Sequence, residues 1–168
     1  YYDMEIFPIS NLVNKEKDVV AKLHNLDIIE LKSLISVKIN YALELKVEVN
    51  LEIIEKIDKV NMKSIDLVRI IGIFLDNAIE ACEGESEPYI DITIRQEKSF
   101  VIIKIVNKFS RKISKKLETT KHKKIFHGVG IGSVKSIVES YEGEFTIEKN
   151  GNEVIAKILI PNYKKEYQ

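Results

Sequence analysis

Residues 128–143 read GVGIGSVKSIVESYEG, and no other stretch constrains the fold as strongly. Gly128, Gly130 and Gly132 alternate with Val129 and Ile131. An amphipathic helix pattern begins at once, because Ile131, Val134, Ile137, Val138 and Tyr141 recur at spacings of three and four. Gly143 supplies a helix stop. A glycine turn feeding a helix is a natural anion site: glycine lets main-chain N–H groups approach an oxygen, and the first helical N–H groups have no partner inside the helix. The same glycines equally suit a tight turn packed against a core, so a second element has to decide.

That element is IIGIFLDNAIEAC, residues 70–82, inside a helix expected from Ser64 to about Cys82. Its apolar positions are Ile65, Val68, Ile71, Gly72, Leu75, Ala78, Ile79 and Cys82. Ser64 is placed to cap it, and Gly84 and Pro88 close it. Asp76, Asn77 and Glu80 break an otherwise apolar setting, and Asn77 and Glu80, three apart, share a face. Such oxygens suit Mg²⁺, which takes hard ligands and keeps several waters while bridging substrate phosphates. An amide on a mostly apolar helix needs a partner or a ligand. One polar stripe turned to water accounts for the same residues.

Around these two stretches the remaining elements follow from periodicity. Residues 1 to about 22 read as helix, with Ile6, Ile9, Leu12, Val13, Val19, Val20 and Leu23 on a broken apolar face and Pro8 interrupting or starting it. A second helix is expected from Ile28 to about Leu45, with Asp27 as N-cap and Leu31, Leu34, Ile35, Lys38, Ile39 and Ala42 on its repeat. Val47 to Ile53 alternates with period two, as a half-buried strand does. Residues 54–63 form a polar connection with a short strand near Val60. YIDITIRQ from Tyr89 and FVIIKIVN from Phe100, joined by EKS, signal a hairpin; GEFTIEK and EVIAKILI around KNGN form two closing strands. Between the hairpin and the glycines, residues 108–127 hold eight Lys or Arg and one acid, and fit a lid, a binding loop or disorder. The order implies an α/β (α+β) two-layer sandwich: a mixed, mostly antiparallel sheet with helices on one face.

Composition narrows the function classes. A chain of 168 residues with 45% apolar and 31% charged residues folds around a core, as one domain or one domain with an appendage. Its formal net charge of zero provides no global basic field, which argues against bulk nucleic-acid binding. Cys82 is the one cysteine; it cannot form an internal disulfide, its default is an inert buried thiol, and this usage fits a reducing compartment. No signal peptide or transmembrane run is visible. The chain opens on Tyr1 rather than Met, so we expect it to be a portion of something longer.

DNAIEA on a helix, then a strand ending in a polar residue, a long loop, and G-x-G-x-G opening a helix resembles the Bergerat (GHKL) ATP-binding fold shared by gyrase, heat-shock-90 chaperones, sensor histidine kinases and MutL. LDNAIEAC, VNKFS, TTK and GVGIGSVKSIVESYEG most resemble sensor histidine kinases of the peptide-pheromone quorum-sensing type, the accessory gene regulator and its relatives. The resemblance covers about residues 30–161. It implies a boundary after residue 28: residues 1–28 would end a helical dimerisation and phosphoacceptor segment, and residues 29–168 would be the ATP-binding catalytic domain. It implies that Asn77 binds Mg²⁺ on the ATP phosphates, that Asp76 and Glu80 flank it and Ala81 shares the box, and that Gly128, Val129, Gly130, Ile131 and Gly132 form the phosphate-contacting glycine box. Residues 108–127 would be the ATP lid, with Thr119, Thr120 and Lys121 its Ser-Thr-Lys patch, and its lysines suit a polyanion. The implied partners are an upstream phosphoacceptor helix of the same protein, a response regulator, a second copy in the full-length homodimer, and the cytoplasmic face of the cell membrane through a region before Tyr1.

Two departures from the family pattern stand out. The adenine-pocket motif Asp-x-Gly-x-Gly is replaced by Val106-Asn107-Lys108-Phe109, where Asn107 can both donate to and accept from an adenine edge. ATP-hydrolysing relatives carry a general-base Glu one turn before the metal asparagine, and here that position is Ile73, which favours transfer to a protein acceptor over hydrolysis. His24, in KLHNLD, lacks the acceptor context, and His122 and His127 fall in the lid, so the substrate histidine is expected outside this chain. Two other readings use the same fold: a nucleotide-binding or scaffold module without turnover, and an anti-sigma-type serine kinase, against which the N-terminal helices argue.

Overall fold

The structure, a computed structural model, describes residues 17–111 and 129–162. Strands β1 (Glu48–Ile53), β2 (Tyr89–Glu97), β3 (Phe100–Lys108), β4 (Glu144–Asn150) and β5 (Glu153–Pro161) form one sheet in the order β1-β2-β3-β5-β4. β1 runs parallel to β2, and the other three pairings are antiparallel. The helices are α1 (Ile29–Glu44), α2 (Ser64–Cys82) and α3 (Val129–Ser140).

Alternation dictates which face of the sheet is covered. Val49, Leu51 and Ile53 of β1 are buried while Glu48, Asn50 and Glu52 are exposed. Ile90, Ile92 and Ile94 of β2 continue that layer, as do Val101, Ile103 and Ile105 of β3 and Ala156, Ile158 and Ile160 of β5. Register lines them up: Ile92 faces Ile105, Ile94 faces Ile103, and Ile103 faces Ile158. The apolar stripes of α1 (Leu31, Ile35, Ile39), α2 (Leu67, Ile70, Ile71, Phe74) and α3 (Val134, Val138) complete the same core. This is the two-layer α/β sandwich expected, with its mixed, mostly antiparallel sheet. No helix among the described residues is long and apolar enough to cross a membrane.

The incoming chain also joins the core. Residues 17–23 are helical, the described part of the helix expected over residues 1–22; the remainder lies outside the described residues. Leu23 and Leu26 are buried, and Leu26 pairs in parallel with Ile57. Around that bridge Ile57 N–H donates to Asn25 C=O at 2.7 Å, and Asp27 N–H donates to Ile57 C=O at 2.8 Å.

Local expectations fail in four places. Asp27 does not cap α1: Ile28 takes the cap position without a side-chain bond, and the Asp27 carboxylate pairs with Lys56 at 2.9 Å. Ser64 does not cap α2 but begins it, after Lys63. The bridge expected near Val60 forms at Ile57 instead, because the incoming chain supplies its partner. At the end of α3 the left-handed residue is Glu142, with φ 58°, rather than Gly143. Gly143 is required for space: a Cβ there would sit 2.7 Å from Leu159 C=O.

Candidate functional site

In β3 the inward phase of Val101, Ile103 and Ile105 continues to position 107, where the residue is asparagine. Asn107 is therefore carried under the helical layer and is 4% exposed, the buried polar residue of the described core. Its Nδ2 donates to Lys108 C=O at 3.0 Å. One of the two Nδ2 hydrogens is thereby engaged, which leaves Oδ1 and the second N–H for a ligand. Asn107 lines a small cleft with Asn77, Ala78 and Ala81 of α2, Ile147 of β4 and Val154 of β5. The free room is about 10 Å³, roughly one water. Apolar walls with two amides offer the contacts a flat ring uses along its edge, but a whole ring needs more room than this cleft has here.

The glycine stretch meets α2 next to this cleft. A Cβ on Gly130 would lie 3.1 Å from Ile73 Cγ2, so a larger residue there would press Ile73 back by a few tenths of an ångström. Ile73 and Asn77 are one helical turn apart. The first turn of α3, whose N–H groups have no partner within the helix, thus stands beside α2 one turn from Asn77. Gly130 and Gly132 lie inside the helix and do not take positive φ, so their role here is smallness rather than a left-handed turn. Ile131 is 7% exposed and anchors that turn, while Gly132 has no described atom within 4 Å of an added Cβ. At the other end Tyr141 O–H donates to Asp66 Oδ2 at 2.5 Å and accepts from Lys63 N–H at 3.4 Å, which ties the end of α3 to the start of α2. The Asp66 hydrogen bond pushes the Tyr141 phenol above its ordinary range.

Within DNAIEA the side chains diverge. Asn77 is half-exposed at the cleft, and Ala81 is 6% exposed on its wall. Asp76 turns to α1, where its Oδ1 pairs with Lys38 Nζ at 2.5 Å; this is why a lysine sits within the apolar repeat of α1. Glu80 is exposed and is not among the cleft-lining residues. Thr119, Thr120, Lys121 and Gly128, with His122 and His127, lie outside the described residues; Val129 opens α3, and His24 is exposed. Among the described residues no group of three His, Cys, Asp or Glu could hold a metal ion. One amide oxygen at the cleft fits Mg²⁺ as phosphates and waters carry it rather than in a protein cage.

Sequence reasoning missed a polar strap at the end of the cleft. The Glu85 carboxylate accepts from Ser110 N–H at 3.0 Å and Ser110 O–H at 2.5 Å, with Arg111 Nε at 3.6 Å. Burial alone would raise this carboxyl; the Ser110 hydrogen bonds and the Arg111 and Lys108 charges outweigh it and hold it below its ordinary range. Phe109 is buried against Ala81 and Val154, with Arg111 5.0 Å and Lys149 5.8 Å from its ring centre. Residues 108–111 are thus tied to the sheet and to α2 rather than opening a loop. No local periodicity marks Glu85, since its partners lie 25 residues on. Cys82 beside them is an inert thiol: burial pushes it up to about 11, and Sγ contacts Tyr89 C=O at 3.5 Å.

A family model described as a GHKL domain matches residues 62–161, more than half the chain. No curated protein matches it. Among solved structures, the nucleotide-free catalytic domain of histidine kinase ThkA superposes with a TM-score of 0.63 at 19% identity, covering 79% of this chain and 90% of that one. Acinetobacter baumannii histidine kinase AdeS gives 0.60 at 15% identity, over 92% of this chain and 79% of its own. ThkA in complex with response regulator protein TrrA gives 0.65 at 16% identity, over 99% of this chain and 55% of that one. At these identities the likeness is one of fold.

Proposed function

The chain belongs to the GHKL domain family, and from that premise we propose that it is the ATP-binding catalytic domain of a two-component sensor histidine kinase. One observation carries the reading: Gly130 at the open end of α3 packs on Ile73, one turn from Asn77, beside a cleft that also holds Asn107. Asn107 Oδ1 would accept from the amino edge of adenine, with Ala81 and Val154 against the ring. The Asn77 amide oxygen would hold the Mg²⁺ that accompanies the phosphates. The N–H groups of residues 129–132 would take phosphate oxygens, with Gly128, Thr120 and Lys121 completing the phosphate subsite and exposed Glu80 at its rim. Bound Mg·ATP supplies the γ-phosphoryl group. The protein contributes positioning and charge neutralisation. Ile73 is apolar, so the chain offers no base to water at that turn, and the acceptor is a histidine on an upstream helix.

The motifs LDNAIEAC and VNKFS support a peptide quorum-sensing sensor, anchored in the membrane through a region before Tyr1. Residues 1–28 would end the dimerisation segment, with Leu23 and Leu26 already seated in the core of the catalytic domain, and a response regulator would receive the phosphoryl. The test is binding of a fluorescent ATP analogue with and without Mg²⁺, in the wild type and in Asn77→Ala. Metal-dependent binding weakened by the substitution is the expected result. A second reading, a scaffold without turnover, is favoured by the small cleft and by Asn107 in place of Asp-x-Gly-x-Gly; no binding at millimolar nucleotide selects it. Acid-stable phosphate on an added helical segment would instead indicate serine transfer.

A further inference from the structure

We propose that Glu85 is a positioning residue for the base subsite: through Ser110 and Arg111 it clamps residues 108–111 to the end of α2 and so fixes the amide of Asn107. The inference rests on the nucleotide-binding reading above. The Glu85 side chain is 2% exposed, and a carboxylate that far from water persists only where donors meet it. Ser110 provides two at 3.0 and 2.5 Å, and Arg111 adds its charge at 3.6 Å.

The neighbouring bonds tie residues 108–111 to the end of α2, to the segment after it and to the turn between β4 and β5. Arg111 Nη2 donates to Ala81 C=O at 2.9 Å, a last-turn carbonyl of α2 that has no helical partner. Lys108 Nζ reaches Ser86 C=O. Phe109 N–H donates to Asn152 C=O at 2.7 Å, beyond the end of β4, while its ring rests on Ala81 and Val154. Asn107 immediately precedes this strap, and its Nδ2 is held by Lys108 C=O. The orientation of the Asn107 amide, and with it which atom faces the cleft, follows from where the Lys108 peptide lies. The ladder to β5 holds Lys108 from one side, and Glu85 braces the exit of the strand from the other through Ser110 and Arg111, with bonds that need both direction and charge, which apolar packing of Phe109 alone does not supply.

A residue that merely holds the fold together would affect every ligand alike; one that orients Asn107 affects only ligands with a base. The experiment compares competition by Mg·ATP and by Mg·tripolyphosphate in wild type, Glu85→Gln, Glu85→Asp and Ser110→Ala. The Asn107 side-chain amide signal is followed by NMR in the nucleotide-free proteins and assigned by its loss in Asn107→Asp. Glu85→Gln and Ser110→Ala are expected to shift that signal and to weaken ATP by about three- to tenfold, the weight of one net hydrogen bond, with tripolyphosphate unchanged and Glu85→Asp partly restored. Ser110→Ala keeps the ion pair and serves if Glu85→Gln does not fold. An unmoved amide signal, or equal weakening of both ligands, overturns the proposal. A wild type that binds neither ligand refutes the nucleotide reading instead, and the amide signal still decides the role of Glu85.

Discussion

Gly132→Ala separates what a glycine does for a helix from what it does for a ligand. Gly132 lies in the first turn of α3, is exposed, and has no described atom within 4 Å of an added Cβ. A helical glycine costs about 0.5–1 kcal/mol relative to alanine, so the substitution should stabilise the protein by up to that amount. For a chain of this size each kcal/mol moves Tm by about 2–4 °C, giving a rise of about 1–4 °C. The added methyl would stand over the N–H groups that are to receive phosphate. Loss of one hydrogen bond to a charged oxygen, about 1.5–3 kcal/mol, predicts nucleotide binding weakened by about tenfold or more. Gly130→Ala gains the same propensity, but its methyl would sit 3.1 Å from Ile73 Cγ2 and 3.4 Å from Cδ1. Crowding against Ile73 opposes that gain, so Gly130→Ala should raise Tm less than Gly132→Ala, and a second change, Ile73→Ala, should relieve the crowding. Thermal unfolding and a titration with fluorescent nucleotide on the same samples give both readouts. A rise in Tm with unchanged affinity would refute the ligand role of Gly132, and a fall in Tm would refute its open setting.

Two further outcomes follow from contacts away from the cleft. Gly143→Ala should destabilise by about 1–3 kcal/mol, because its Cβ would meet Leu159 C=O at 2.7 Å and Val138 C=O at 3.1 Å, both backbone; a urea midpoint equal to wild type would contradict this. Tyr89 O–H donates to Glu153 Oε1, and that bond, with burial, pushes the phenol from 10.0 up to about 12. The raised value means that this stabilisation is complete below pH 10 and is lost as pH rises toward 12. The stability difference between wild type and Tyr89→Phe should therefore shrink over that window, and a constant difference would count against the bond.

Elements with a sustained repeat were legible in the sequence. The period of α2 carries from Ser64 to Cys82, and the alternation of β1, β2, β3 and β5 survives in their burial. The meeting of the glycine stretch with α2 was legible only as a resemblance; Ile73 against Gly130 now gives it a contact. Polar partners distant in sequence were not legible. Lys38 falls on an apolar repeat because Asp76, 38 residues on, receives it, and Asp27 is drawn from its cap by Lys56. Glu85 and Ser110 belong to segments without a period, so nothing local announces that they meet. Asn107 could have been singled out by phase alone, since it extends the inward series of Val101, Ile103 and Ile105.

The seating of Leu23 and Leu26 bears on how the protein can be dissected. A recombinant fragment cut at residue 29, where α1 begins, would lose two side chains that are 5% and 0% exposed and would leave the Ile57 backbone without its bridge. Removing a buried leucine typically costs about 2–5 kcal/mol, a large share of the margin by which a domain stays folded. Any swivel between this unit and whatever precedes it therefore has to sit upstream of Leu23, and chimeras joined downstream of that point would sever the fold rather than the hinge.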